Sequence, residues 1–372
     1  STEPWGPQTP VKLRRPEESM MNSPIESAEP LSRTHLPAQL VDRESEQETL
    51  SEAFAVDMET RLHHLHLYGP RGSGKTHLVK QFLTTFPSTV TTCFVAGRPY
   101  NTQYKVLEKL LQQLTGERLG TGHHVSDLQR RINDAITIST VIVLDDIEFV
   151  LLNDGDDLLY FLSRLDKVAV ITVSSNYRSL ESQLDARTAS SFQPQVLTLN
   201  PYTPSEAQQI LAERARLAFK PQSIDREALS QIARTTANIA IGLAWLRMAA
   251  NQSHDVITPD VVDAVKSTGY AEYVTELLDD WTPHHRRLYE TIALQDRKDG
   301  EELVTGMVYD AYRDRCLDAG VPALSERRIS DFLVQLELLD LIETTYHYGG
   351  SKGKTREIRL ADWTRDERSE ES

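Results

Sequence analysis

Gly69-Pro70-Arg71-Gly72-Ser73-Gly74-Lys75-Thr76 decides how this chain is read. An apolar run over residues 62–67 leads into it and a helical pattern leaves it from about Lys75. Strand, glycine turn and helix is the context that makes a match to GxxxxGK[ST] a phosphate-binding loop. The glycines let backbone N–H groups face phosphates, and the helix N-terminus adds its dipole. Lys75 is placed to neutralise the outer phosphates and the Thr76 hydroxyl to sit on Mg²⁺. All eight residues are therefore assigned to binding ATP or ADP.

Outward from the loop, short apolar runs at 90–95, 140–144, 168–173 and 195–199 alternate with helical stretches. That grammar is a mostly parallel sheet covered by helices on both faces, an α/β fold. The run at 140–144 ends in Asp145-Asp146. Asp145 is the carboxylate expected in the Mg²⁺ shell. Asp146 is the candidate that polarises the attacking water, and the alternative is a solvated acid at a strand end. After Pro201 helices follow one another for about 80 residues, at 204–219, 225–235, 239–251 and 259–268. Three more helical segments, near 284–295, 301–319 and 325–339, precede two short strands at 341–348 and 355–360 around a Gly/Lys loop. Three helices closed by a hairpin is the winged-helix order. The expected division is a disordered tail at 1–35, a nucleotide-binding domain at 36–200, a helical lid at 201–279, a winged-helix DNA-binding domain at 280–361 and a charged tail at 362–372.

Composition sets limits. A chain of 372 residues with 39% hydrophobic residues holds more than one core. Cys93 and Cys316 are too far apart in sequence to suggest a disulfide framework or a Cys-rich zinc site. No stretch is long and apolar enough to cross a bilayer and no basic-then-apolar leader opens the chain, so a cytoplasmic, nucleoid-associated protein without membrane contact is expected. The net charge of -15 repels nucleic acid on average, so contact with DNA must be local. Lysine is scarce, 11 against 29 arginines, as in the proteomes of salt-loving organisms. High salt penalises phosphate contacts and favours base or shape readout. His63, His64 and His66, before the loop, have no acid or Cys cluster beside them and are read as surface and packing residues.

These residues carry a family resemblance. The phosphate loop, Asp145-Asp146-Ile147-Glu148, Asp154-Gly155-Asp156-Asp157-Leu158-Leu159-Tyr160, Val173-Ser174-Ser175-Asn176 and Leu184-Asp185-Ala186-Arg187 are similar to those of the archaeal origin-recognition and helicase-loader initiators, AAA+ ATPases with a C-terminal winged helix. Residues 37–46, with Arg43 and Glu44, resemble the segment that opens their ATPase domain. The resemblance runs from about Leu36 to Leu360, and the charge balance makes the chain look like a haloarchaeal member.

The resemblance implies roles. Asn176 matches the first sensor, which holds the attacking water, and Arg187 the arginine finger offered to a neighbouring subunit's nucleotide. Ala240 stands where the family usually has the second-sensor Arg, and Arg234 and Arg247 are the nearest arginines. The family usually has Glu where Asp146 stands. Both departures weaken hydrolysis more than binding, so slow or absent turnover is expected.

In a winged helix the third helix enters the major groove and the wing reaches the neighbouring groove or backbone. Ile329, Phe332, Leu333 and Leu336 form the buried stripe of that helix, leaving Arg327, Arg328 and Gln335 as groove candidates. Lys352, Lys354 and Arg356 are the wing candidates. The helix that begins at Asp154 lies where these initiators insert an extra DNA-pressing helix, with Arg164 and Lys167 at its far end. The implied function is an ATP-binding initiator that recognises double-stranded origin DNA, assembles with other initiator subunits, and recruits or loads the replicative minichromosome-maintenance helicase. The alternative is an initiator-like DNA-binding regulator with bound nucleotide and little or no hydrolysis. A P-loop ATPase using its winged helix for protein contacts is the third.

Overall fold

Strand burial explains the architecture of this computed structural model, which describes residues 23–55, 63–120, 122–175, 180–253, 255–296, 303–348 and 354–361. The chain runs through α1 (Glu44–Ala55), β1 (Leu65–Tyr68), the phosphate loop, α2 (Lys75–Leu83), β2 (Thr91–Ala96), α3 (Gln103–Thr115) and α4 (Val125–Ala135). Next come β3 (Thr140–Asp145), α5 (Glu148–Asp154), α6 (Asp157–Ser163), β4 (Val168–Ser174), α7 (Ala186–Phe192) and β5 (Gln195–Thr198). All five strands are parallel, in the order β2-β3-β4-β1-β5. Every residue of β3 and β4 is buried, because parallel strands in mid-sheet are covered on both faces. The pleat sorts them: Val141 and Val143 join Leu65, Leu67, Leu78 and Phe82 on the α1/α2 face, while Ile142 and Leu144 join Val106, Leu110 and Ile132 on the α3/α4 face. His64 and His66 serve this packing. Burial lowers both to about 4, so they are neutral, and His66 Nδ1 meets Thr172 Oγ1 at 2.9 Å.

The lid follows as α8 (Pro204–Ala218), α9 (Arg226–Thr235), α10 (Ile239–Gln252) and α11 (Pro259–Leu278). A reciprocal capping box between Thr203 and Glu206, with Pro204 in the first turn, starts α8. Helix α11 runs ten residues past the boundary expected from sequence, because Tyr273, Val274, Leu277 and Leu278 continue its buried stripe. The chain then forms α12 (Pro283–Asp296), α13 (Thr305–Asp318), α14 (Glu326–Leu338) and the antiparallel hairpin β6 (Ile342–Tyr348) and β7 (Lys354–Leu360). One apolar core is continuous through the lid and winged helix, from Leu211 to Ile358. Phe149 of α5 packs edge-on against Trp281, ring centroids 5.3 Å apart, and so joins the sheet domain to that core. Among the described residues, no helix is long and apolar enough to cross a membrane.

Residues 23–35 correct the expectation of a disordered tail. Ile25 bridges Phe219, the Lys220 N–H donates to the Pro24 carbonyl at 2.9 Å, and Leu31 is wholly buried in the lid core. Two lid arginines satisfy the carbonyls: Arg214 Nη1 donates to Pro30 O (3.0 Å) and Arg247 Nη1 to Leu31 O (2.7 Å). Low apolar content suggested a solvated tail, yet the few apolar residues present are placed where donors await. Leu31→Ala should therefore destabilise the protein by about 2–4 kcal/mol in urea unfolding, whereas a solvated tail residue would change nothing.

Candidate nucleotide site and its link to the winged helix

The phosphate loop is shaped by two left-handed glycines, Gly72 (φ +81°) and Gly74 (φ +87°). A Cβ on Gly72 would lie 2.4 Å from Asn238 Oδ1, so only glycine lets the loop touch the N-cap of α10. Arg43 supports the loop from below: its Nη2 donates to Ser73 O (3.0 Å) and Asn200 O (2.9 Å), and its guanidinium lies 4.2 Å from the Tyr202 ring centre. Lys75 folds back, its Nζ donating to Gly69 O (2.6 Å) and Pro70 O (2.7 Å). Burial, then the neighbouring Arg71, lowers its pKa to about 8. Between the loop, residues 33–41 and the lid lies a cavity of about 270 Å³.

Three carboxyl groups meet at the end of β3. Thr76 Oγ1 donates to Asp145 Oδ2 at 2.7 Å, bringing the two expected Mg²⁺ ligands together. Burial and the adjacent Asp146 raise the Asp145 carboxyl to about 6, the behaviour of a carboxylate that a cation would relieve. Burial alone would also raise Asp146, but Arg71 and Arg98 outweigh it and hold this carboxyl below the ordinary range. Arg71 Nη1 reaches Oδ1 at 3.3 Å and Arg98 Nε reaches Oδ2 at 2.8 Å. Glu148, buried and beside Asp146, is raised to about 7. Its Oε1 accepts from the Ser175 N–H at 3.1 Å, while its Oε2 has no partner.

Arg98 and Glu148 escaped the sequence reading as site residues. Arg98 is 48 residues from Asp146 in sequence. Only the register, which pairs Ala96 with Asp145, sets it beside Asp146. The larger surprise is Arg71. Its Nη2 donates to Leu338 O at 2.7 Å, the last residue of α14, and its Nε lies 3.4 Å from Asp340 Oδ2. One side chain of the phosphate loop thus holds Asp146 and the winged helix together.

The other expected site residues fall into distinct places. Asn176 and Lys352 lie outside the described residues. Arg187 is half-exposed, stacked 4.0 Å from the Tyr160 ring centre and bonded to Asp157 Oδ1 at 2.8 Å, so its own chain's α6 holds it. Arg327 and Arg328 stand exposed at the start of α14. Lys354 opens β7, opposite Tyr348. Gln335 does not face outward: it is buried and its Oε1 accepts from His285 Nε2 at 2.6 Å, because α14 turns it toward α12. Arg356 is also buried, paired with Glu337 at 3.3 Å and packed over Tyr346. Ala240 lines the nucleotide cavity. Neither nearby arginine replaces it, since Arg234 is bonded to Glu227 and Arg247 to Glu272 and Glu276.

A phosphate loop on a five-stranded parallel sheet, a helical lid and a terminal winged helix define an AAA+ ATPase with an appended winged-helix domain. Residues 39–173 match the AAA ATPase domain family, and residues 276–369 match the family described as CDC6, C terminal winged helix domain. The chain is 28% identical over 350 residues to the ORC1-type DNA replication protein 1 of Sulfolobus acidocaldarius, covering 88% of this chain and 87% of that one. It is also 28% identical over 318 residues to the ORC1-type DNA replication protein 1 of Methanothermobacter thermautotrophicus, covering 79% and 82%. Its fold is shared with the Aeropyrum pernix ORC1 protein solved in complex with DNA, at a TM-score of 0.70 and 24% identity over 91% of this chain and 94% of that one. The chain thus carries an AAA ATPase domain and a CDC6-type winged-helix domain and is similar along most of its length to ORC1-type DNA replication proteins.

Asp145 yields a test of the site's electrostatics. Its folded pKa lies above the 3.8 of a free aspartate, at about 6. The stability it contributes is therefore present below the lower value and lost as pH rises through the higher one. Asp145→Asn should raise the melting temperature of nucleotide-free protein at pH 7.5 by roughly 2–4 °C. Calorimetry should show that gain shrinking as the pH is lowered toward 4.5.

Proposed function

We propose that this protein is an ATP-binding replication initiator that grips double-stranded origin DNA through its winged helix and recruits or loads the replicative minichromosome-maintenance helicase, acting with other initiator subunits. One observation carries the proposal: Arg71, inside the phosphate loop, bonds both Asp146 and the end of the winged helix's third helix. A change at the nucleotide is thereby felt where DNA contact is expected. The residues present fit ATP with Mg²⁺. Thr76 and Asp145 are paired for the cation, Lys75 is poised over the loop, and Arg98 Nη1 is buried without a partner beside the cavity. The bound nucleotide would supply the phosphate charge that these groups answer. Lys75 leaves its loop carbonyls for the phosphates, and Asp146 must be freed from its arginines to accept a proton from water.

That last requirement favours slow turnover. Asp146 is one methylene shorter than the usual Glu, and two arginines hold it. A displacement near 1 Å can cost about a hundredfold in rate. The reading of an initiator-like regulator with structural nucleotide keeps this support, together with Ala240 in the cavity wall. On the DNA side, Arg327 and Arg328 are the exposed groove candidates and Lys354 remains a wing candidate.

Single-turnover hydrolysis of pre-bound ATP in molar KCl, with and without duplex DNA, separates the two readings. Slow cleavage by the parent that Lys75→Ala and Asp146→Asn both abolish is the outcome expected of an initiator that cycles. ATP retained intact for hours makes the nucleotide a structural clip and selects the regulator. Independently, Arg327→Ala with Arg328→Ala should weaken duplex binding at least tenfold, at about 1–3 kcal/mol per base-contacting arginine. Gln335→Ala should instead lower stability by breaking the His285 bond. Unchanged DNA affinity in the double arginine variant would remove α14 from the interface.

A further inference from the structure

Among the described residues, six Lys and Arg side chains line the nucleotide cavity. Five have partners: Arg71 and Arg98 hold Asp146, Lys75 holds loop carbonyls, Arg214 holds Pro30 O and His35 O, and Lys80 lies 4.9 Å from the Phe94 ring centre. Arg33 makes no hydrogen bond and no ion pair with any described residue. It is half-buried. Burial, and then the like charge of Arg98, act against its charged form. A guanidinium drawn from water beside another cation and given no partner is unfavourable unless an anion completes it.

Its position says which anion. Arg33 lines the cavity that Lys75, Thr76, Asp145 and Asp146 also line. It feels the charges of Arg98, of Glu276 on the lid helix α11 and, more weakly, of Asp146, so it stands between the lid and the cation site that Thr76 and Asp145 mark. The lid wall there, Ala240, Leu243, Leu277 and Tyr273, offers no cationic side chain, and the lid's Arg214 is already held by the Pro30 and His35 carbonyls. Arg33 comes instead from the segment ahead of the ATPase domain. That segment is fastened to the lid through Pro30 and Leu31. We propose that Arg33 is a binding residue for the terminal phosphate of the nucleoside triphosphate, so that the segment before the ATPase domain, and the lid to which it is tied, close on ATP rather than ADP. This inference rests on ATP being the occupant of the cavity.

The test is titration of the full chain with ATP, ADP and adenosine in molar KCl with Mg²⁺, for the parent, Arg33→Ala, Arg33→Gln and Arg33→Lys. Loss of one charge-assisted phosphate contact should weaken ATP about tenfold or more in the Ala and Gln variants. ADP should change by less than about threefold and adenosine not at all, with Lys recovering part of the loss. The nucleotide-free melting temperature of Arg33→Ala should equal or exceed that of the parent, since the side chain gains nothing until an anion arrives. An ATP-to-ADP affinity ratio identical in the parent and in a variant that keeps its melting temperature overturns the role of Arg33. A parent that binds none of the three overturns the ATP reading itself.

Discussion

Three carboxyl groups, Asp145, Asp146 and Glu148, are buried within four residues at the end of β3, and much of the molecule answers their charge. Water cannot do so there, so each needs a donor or a proton. Thr76 bonds Asp145, Arg71 and Arg98 clamp Asp146, and Glu148 accepts from Ser175. The solutions differ, and so do the results: Asp146 is held ionised while Asp145 and Glu148 drift toward neutrality. An arriving cation and phosphate chain would redistribute all three, which makes this cluster sensitive to the nucleotide.

Arg71 carries that sensitivity outward. Its bond to Leu338 and its approach to Asp340 mean that the loop and the winged helix share one guanidinium. The Phe149–Trp281 contact adds an apolar bond beside it, joining the same two parts of the molecule. A buried pair of this kind contributes more to the choice of one arrangement than to net stability. The placement of the winged helix is thus tied to Asp146 through a single guanidinium.

On a chain of net charge -15, cations are used sparingly. Arg356, which the wing pattern offered to DNA, is spent internally on Glu337 and Tyr346. Arg327 and Arg328 are left exposed at the start of α14.

The linear order of residues determined the local elements: the phosphate loop and its flanking strand and helix, the parallel sheet, the lid helices, the winged-helix order, and Thr76 with Asp145 as partners. These are legible because glycine conformation, strand alternation and helix periodicity act over a few residues, and because a phosphate loop requires a fixed spacing. Tertiary structure decided the rest. Arg98 meets Asp146 only because β2 neighbours β3 in the sheet. Gln335 turns inward only because α12 offers His285, and residues 23–35 fold only because the lid presents Arg214, Arg247 and an apolar recess. Charges far apart in sequence are paired by the packing of whole elements, and no local rule encodes which two will meet.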